Sequence, residues 1–464
     1  MGDLVSGAGG ARGSRGAVAA AAEGSARRRT LTAVLGALGV VILAMVAVVA
    51  LLVVFSPPTP GTATAGDDVP VAGAPRNAVF SFGHTVGNTV PSPDAEMDAS
   101  QRLPFELAVA PDAFRIRIEN RQYNAETTFD DGVRLTGLWI GDGGVTEDGT
   151  ASAPADGILR PTGAYTSIPV ELAGPVDVGP GGFVTDWITP DQYALGDGIP
   201  YLLSMGWTAP AGATLATYPG LSWLATGAGS SASSVVSAIA PVGVSTTMNY
   251  FDISLEYSFS SDAPVLVSIG HSLNTPVNGK RKLFPTRGEN TSWPQQWAAE
   301  HDAIAVNMAS SGAVTTDFRA DSTKWEQFAG IDPQIVTIWA ASNDLSDGHP
   351  FDEVQRNWLE ILATVKSQWP DAAVYAMTEP PRGLTGSSEA TRVEWNEWMR
   401  SVPDGLSGVI DADALLRGQA DPTHLDPLYD ADGVHVNEAG HALIADAVPA
   451  LPPVGGGATG EASG

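Results

Sequence analysis

The chain has no cysteine in its 464 residues. Disulfides, thiolate zinc sites, iron–sulfur clusters and a cysteine nucleophile are therefore excluded, and thiols give no reading of the redox compartment. Histidine is scarce as well, at seven residues, so acid–base chemistry must draw on a short set of side chains. Basic residues number 24 against 52 acidic ones, for a formal net charge of -28. The imbalance is uneven: Arg12, Arg15, Arg27, Arg28 and Arg29 against Asp3 and Glu23 give residues 1–30 a local +3 and leave -31 for the rest. So acidic a body repels nucleic acid and anionic lipid, and no nucleic-acid partner is expected. Its charge reads as a solubilising surface. No internal repeat recurs, which argues against a propeller or solenoid.

Apolar residues are concentrated near the amino terminus. Leu31 to Phe55 is a 25-residue apolar run without a charge, long enough to cross ~30 Å of hydrocarbon as a helix. The arginines precede it, so the sequence predicts a single-pass anchor with residues 1–30 as a cytoplasmic basic tail and the remainder outside. Secretion after cleavage near Ala65 is the alternative, because Ala63-Thr64-Ala65 resembles a cleavage site; the run, however, exceeds the usual length of a signal peptide's apolar core. Residues 56–76, rich in Pro, Thr and Gly, read as a linker. The body follows at 77–260 and 261–455, and 456–464 reads as a disordered tail.

Between about Ala78 and Phe259 the pattern is that of short strands. Phe114-Arg115-Ile116-Arg117-Ile118-Glu119 alternates strictly, Val133–Ile140 more loosely, and further runs occur at Ile168–Leu172, Phe183–Ile188, Tyr201–Trp207 and Phe251–Tyr257. Gly, Pro and Asp clusters separate them, which predicts an all-β sandwich or jelly roll. After Asp262 apolar strand candidates at Val265–Ile269, Ile304–Met308, Ile335–Trp339, Ala373–Met377 and Val409–Ile410 alternate with helical stretches. The clearest helix is Asp352–Gln368, with Val354, Trp358, Leu362 and Val365 on one face and Pro370 beyond its end; Asn437 reads as the cap of a last helix running to about Val448. Such alternation predicts an α/β domain, a parallel sheet covered on both faces.

Chemistry-bearing residues fall at the predicted strand ends. The strand Val265–Ile269 breaks at Gly270, and Ser272 follows where open α/β sheets bind ligands. An oxygen nucleophile needs a base held in one tautomer, and Asp432 and His435, three apart before the last helix, are the best candidate pair. An oxyanion needs donors already in place: Gly312, ending Asn307-Met308-Ala309-Ser310-Ser311-Gly312, offers a backbone N–H, and Asn343 a side-chain amide. Singly, each of these has a plainer reading as a turn, a helix cap or a surface accident.

In order, the blocks are more specific. Serine after the first strand, glycine after the second, asparagine after the third and Asp-x-x-His before the final helix, at gaps of 40, 31, 89 and 3 residues, resemble the SGNH hydrolase superfamily, or GDSL esterases, over roughly Pro264 to Val448. The resemblance implies a three-layer, flavodoxin-like sheet domain. It also implies a serine esterase with Ser272 as nucleophile, His435 as base and Asp432 as the orienting carboxylate. The implied oxyanion hole comprises the N–H groups of Ser272 and Gly312 and the amide of Asn343, with no metal or organic cofactor. A strand-rich domain ahead of such a domain is similar to two-domain members acting on acylated carbohydrate, so the expected substrate is a small or carbohydrate ester, with O-acyl groups on cell-envelope carbohydrate as one candidate. The oligomeric state is not legible.

Two positions depart from the family pattern. His271 stands where Asp is usual in Gly-Asp-Ser, and Ala341 where Gly is usual. His271 is expected to face away from Ser272 and serve the loop, so His271→Asp is expected to retain or raise activity; a role as second base is the competing reading. His441 is placed on the last helix, and His301, His349 and His424 in loops without ligand spacing. Eight of the twelve tryptophans follow Ser292, read as core ahead of sugar stacking. The rival to an esterase is a retired glycan-binding or scaffolding protein, for which the altered Gly-His-Ser block would mark lost chemistry.

Overall fold

A strand that alternates apolar and charged residues can bury one face and wet the other, and Ala113–Glu119 does so, burying Phe114, Ile116 and Ile118 beside half-exposed Arg115, Arg117 and Glu119. The computed structural model describes residues 75–84, 89–91, 94–142, 166–167, 175–219, 223–232, 248–276 and 287–451. The basic tail, the predicted span Leu31–Phe55, the linker up to Ala74, the run Ile168–Leu172 and the carboxyl-terminal tail lie outside them. No helix among the described residues is long and apolar enough to cross a membrane.

The amino-terminal part of the body is antiparallel. Its longer strands are β1 (Arg76–Ser81), β2 (Met97–Glu106), β3 (Ala113–Glu119), β4 (Arg134–Asp142), β5 (Pro200–Ala209), β6 (Thr214–Pro219) and β7 (Asp252–Phe259). One sheet runs β1-β7-β3 and ends on Phe183–Val184; a second runs from Trp223–Thr226 through β2, β5 and β4 to Thr166–Ser167. Phe80 and Phe82 of the first sheet's side meet Phe105 of β2 at ring-centroid distances of 6.1 and 5.4 Å, and Trp207 of β5 meets Phe251 at 5.0 Å. The expected strand Phe183–Ile188 is shorter than its sequence suggests: Ile188 joins the sheet only as an isolated bridge to Phe114.

From Val265 onward the sheet is parallel, with β8 (Val265–Gly270), β9 (Ile304–Asn307), β10 (Ile335–Trp339), β11 (Ala373–Met377) and β12 (Gly408–Ile410) in spatial order β9-β8-β10-β11-β12. All residues of β8 are buried, which explains its largely apolar run; its one polar side chain, Ser268, donates to Asn307 Oδ1 at 2.7 Å. The chain leaves β8 to one side for β9 and returns to the other for β10. The crevice at the carboxyl end of β8 is therefore a topological switch point, where the loops diverge and leave room for a ligand.

Helices cover both faces. α1 (Trp293–Glu300) and α4 (Glu438–Ala447) pack on one side, where Trp293, Trp297 and Ile444 share a core with Leu266 and Ile335. α2 (Phe351–Gln368) and α3 (Gly386–Arg400) pack on the other through Trp358 and Trp395. Trp358 is 1% exposed, as its helical spacing requires. The apolar core beneath α2 and α3 is continuous with that of the antiparallel region, and the described residues form one compact unit. At the amino ends of the parallel strands, the Arg76 guanidinium donates to Ala263 O at 2.7 Å, Asp332 O at 2.9 Å and Gln334 Oε1 at 2.9 Å.

Candidate active site

The site begins with a backbone constraint. β8 ends at Gly270, whose φ of +146° is open chiefly to glycine, and a Cβ there would lie 1.8 Å from Trp339 O. The chain can thus pass hard against the end of β10, and His271 N–H donates to Trp339 O at 3.1 Å. A 3₁₀ turn, Ser272–Asn274, follows immediately. Asn274 fastens it, its amide donating to His271 O at 3.1 Å, while Thr275 Oγ1 donates to Ser272 O at 2.9 Å. Ser272 is left 7% exposed, at the crevice.

Ser272 Oγ lies 2.8 Å from His435 Nε2, and His435 Nδ1 lies 3.0 Å from Asp432 Oδ2. A carboxylate only accepts, so Nδ1 carries the proton and Nε2 is free to accept from Ser272. The carrying loop folds on itself: Asp432 Oδ1 accepts from the N–H of Val434 at 3.1 Å and of His435 at 2.9 Å, as Asp side chains do in tight turns. Burial raises the Asp432 carboxyl, but the His435 ring and these N–H groups outweigh it and hold the group well below the ordinary carboxylate range. Asp432 therefore stays ionised at neutral pH and fixes the imidazole. Beyond the loop, Asn437 caps α4 by accepting from Gly440 N–H at 3.0 Å.

Gly312 and Asn343 sit close together. Gly312, at φ +74°, is exposed, and nothing lies within 4 Å of where a Cβ would be. Its segment is bound to the serine turn, Ser310 N–H donating to Gly270 O at 3.0 Å and Asn307 Nδ2 to Asn274 O at 2.9 Å. One Nδ2 hydrogen of Asn343 goes to Ala313 O at 2.9 Å, next to Gly312. On the far side of that segment, buried Asp344 accepts from Thr315 Oγ1 at 2.6 Å and Thr315 N–H at 3.0 Å; burial nevertheless pushes its carboxyl above the ordinary value.

Two residues that the sequence reading missed complete the site. Glu379, just past β11, is 1% exposed and accepts from His271 Nε2 at 3.1 Å and from Ala341 N–H at 2.9 Å. Leu273 N–H donates to His271 Nδ1 at 3.3 Å, so the His271 proton resides on Nε2 and points at Glu379. The ring is thus committed to the loop. Arg382 NH1 donates to Asn343 Oδ1 at 3.3 Å and Ser342 Oγ at 3.1 Å, which sets the Asn343 amide with its nitrogen on the opposite side. Burial lowers the Arg382 guanidinium's pKa, against the opposing charges of Glu379, Asp347 and Asp432. The signal available was a carboxylate and an arginine directly after an apolar strand, in Glu379-Pro380-Pro381-Arg382.

The other histidines lie outside this hydrogen-bonded chain. His441 is on α4 and 1% exposed; burial, with a smaller contribution from His435, pushes it down to about 3, so it is neutral, and it accepts from Trp293 N–H at 3.3 Å. His301 ends α1, His349 pairs with Glu353 at 3.1 Å, and His424 with Asp421 at 2.9 Å. Seven of the eight late tryptophans are buried, Trp398 being the partly buried one. Among the described residues no group of three or more His, Asp or Glu side chains is placed to hold a metal ion.

Residues 275–443 match the GDSL-like lipase/acylhydrolase family. No curated protein matches the chain in sequence. Among solved structures it is similar to an active-site mutant of a family two carbohydrate esterase from Clostridium thermocellum, in complex with an oligosaccharide, at 13% identity and TM-score 0.34, over 80% of this chain and 96% of that one. A member of the lipolytic protein G-D-S-L family from Veillonella parvula is similar at 18% identity and TM-score 0.33, over 40% of this chain and 95% of that one. A carbohydrate acetylesterase from Sinorhizobium meliloti is similar at 14% identity and TM-score 0.31, over 39% and 94%.

The His271–Glu379 contact reverses the expectation for His271→Asp. Aspartate would put two carboxylates together where both side chains are 1% exposed, an arrangement in which both cannot ionise cheaply. His271→Asp should lower folding stability by about 3 kcal/mol, as breaking a buried pair does, and reduce ester turnover. Adding Glu379→Gln should restore most of both. Denaturant unfolding and initial rates on the two variants check this; an unperturbed single variant would contradict it.

Proposed function

We propose, from the premise that the chain carries a GDSL-like lipase/acylhydrolase domain and is an ester hydrolase, that Ser272 is its nucleophile, His435 its general base and Asp432 the carboxylate that orients the base. The observation that carries this is the unbroken chain from Ser272 Oγ to His435 Nε2 at 2.8 Å and from His435 Nδ1 to Asp432 at 3.0 Å. Ser272 Oγ attacks the ester carbonyl carbon as its proton passes to Nε2, leaving an imidazolium that Asp432 stabilises. The carbonyl oxygen becomes an oxyanion. The N–H groups of Ser272 and Gly312 and the second Nδ2 hydrogen of Asn343 receive it, the last held by Ala313 O and Arg382. Collapse breaks the bond to the alcohol, which leaves with the Nε2 proton. Water, deprotonated by His435, then releases the acid from Ser272.

The alcohol that leaves is a hydroxylated molecule, a carbohydrate of the cell envelope. Supporting this are the polar side chains of Asn343 and half-buried Arg382, which are hydrogen-bonded to each other at 3.3 Å and suit a sugar better than a long acyl chain. The placement of the body outside the membrane is supported by the arginines that precede Leu31–Phe55.

Two measurements test this reading. On a chromogenic acetyl ester and on an acetylated oligosaccharide, Ser272→Ala and His435→Ala should each remove nearly all turnover and together no more, because such residues act as a unit. Asn343→Ala should lower kcat by about 10²–10³. Ser272→Ala retaining substantial turnover would defeat the assignment. For the location, protease added to intact cells should release the body while a cytoplasmic control stays protected; a body that is protected as well would place it inside.

A further inference from the structure

We infer that the strand-rich region is part of the catalytic device, with Asn124 as the positioning residue that holds the Gly312 loop. This rests on the proposed role of Gly312 as an oxyanion donor. The loop Asn307–Ser311 leads from the end of β9 to Gly312, and a loop without regular structure needs partners for its carbonyls. Side chains of the strand-rich region provide them. His84 Nε2 donates to Asn307 O at 3.0 Å, and Tyr123 Oη donates to Met308 O at 3.1 Å. Asn124 takes the next two residues but one: its Oδ1 accepts from Ser310 Oγ, and its Nδ2 donates to Ser311 O at 3.1 Å.

The anchor itself is rigid. His84 and Tyr123 are buried, their rings stacked at 3.7 Å, and His84 Nδ1 is 3.0 Å from Asp252 Oδ1 in β7. Asn124 O accepts from Lys324 Nζ at 3.2 Å, so the turn bearing Asn124 is fastened to the α/β region on a second side. From the other direction, Ser310 N–H reaches Gly270 O at 3.0 Å. Ser310 and Ser311 are therefore gripped between the serine turn and Asn124, one residue before Gly312. An oxyanion donor must stand in place before the reaction, and a displacement of about 1 Å can cost about 100-fold. Asn124 touches neither substrate nor Ser272 in this scheme; it acts through the position of Gly312.

Arg76 provides the comparison. It also joins the strand-rich region to the parallel sheet, but at the amino ends of the strands, through Ala263, Asp332 and Gln334. If the strand-rich region mattered only for overall stability, losing either tie would act alike. Full-length Asn124→Ala, Asn124→Asp, Arg76→Ala and Ser272→Ala are assayed on a chromogenic acetyl ester. Inhibition by phenylboronic acid, which forms a tetrahedral adduct on an active serine, is measured alongside. Asn124→Ala should lower kcat about 10- to 100-fold with KM little changed and weaken phenylboronic acid by a similar factor. Asn124→Asp keeps the acceptor for Ser310 but loses the donor to Ser311, so its loss should be intermediate; Arg76→Ala should keep the parent kcat at a lower melting temperature. A kcat for Asn124→Ala within twofold of the parent, or equal losses in Asn124→Ala and Arg76→Ala, overturns the inference. Should Asn124→Ala fail to fold, Asn124→Asp is judged by the same criteria. Turnover retained by Ser272→Ala would instead overturn the reading of the site on which this depends.

Discussion

The close passage of Gly270 over the end of β10 is the constraint on which the site depends. With no Cβ, the chain can lie against Trp339 O at φ +146°, and the serine turn then starts in the crevice rather than in the sheet. A larger residue would have to move backbone, because what it would strike is a carbonyl and not the end of a flexible side chain. From this one approach follow the hydrogen bond of His271 N–H to Trp339 O, the 3₁₀ turn at Ser272–Asn274, and the direction of Ser272 toward His435.

Around that turn, the buried groups of His271 and Ala341 are matched with partners, and the matches explain the departures from the family pattern. His271 accepts from the turn through Nδ1, as an aspartate there could, but its second nitrogen must donate. Glu379 receives that proton and also the Ala341 N–H, at the other atypical position. Glu379 is held in turn from α3, where Asn396 Oδ1 accepts its N–H at 2.8 Å and Arg392 NH1 donates to its carbonyl at 2.8 Å. The histidine and the carboxylate thus form a unit whose members have to change together. Read in isolation, His271 suggested decay of the site; read with Glu379, it is a different way of satisfying the same turn.

Much of the parallel region was legible because its strands are buried on both faces and its helices on one. Val265–Ile269, Ile335–Trp339 and Ala373–Met377 stand out as short apolar runs, and Asp352–Gln368 as a 3.6-residue stripe. β2 was missed because Met97–Glu106 contains Asp98, Gln101, Arg102 and Pro104, which contradict a buried strand until their partners are known. Gln101 is satisfied by Asn249 and Tyr250, its Nε2 donating to Asn249 Oδ1 and Tyr250 O at 3.2 Å each. α3 was missed because its apolar residues are few and its buried face includes Arg392 and Asn396. Candidates for the site were legible from their order along the chain. Glu379, Arg382 and Asn124 were not, since each acts on another side chain or on backbone; the place of Glu379 and Arg382 just after an apolar strand was a cue without a role attached.

The central claim is that Ser272 is a nucleophile activated by His435. A fluorophosphonate reacts covalently with such a serine and is nearly inert toward an ordinary hydroxyl. After exposure of the full-length protein, peptide mass spectrometry should find a single phosphonyl adduct on the peptide carrying Ser272, and His435→Ala should prevent it. Absence of an adduct from the folded protein, or an adduct at another residue with Ser272 unmodified, would contradict the account.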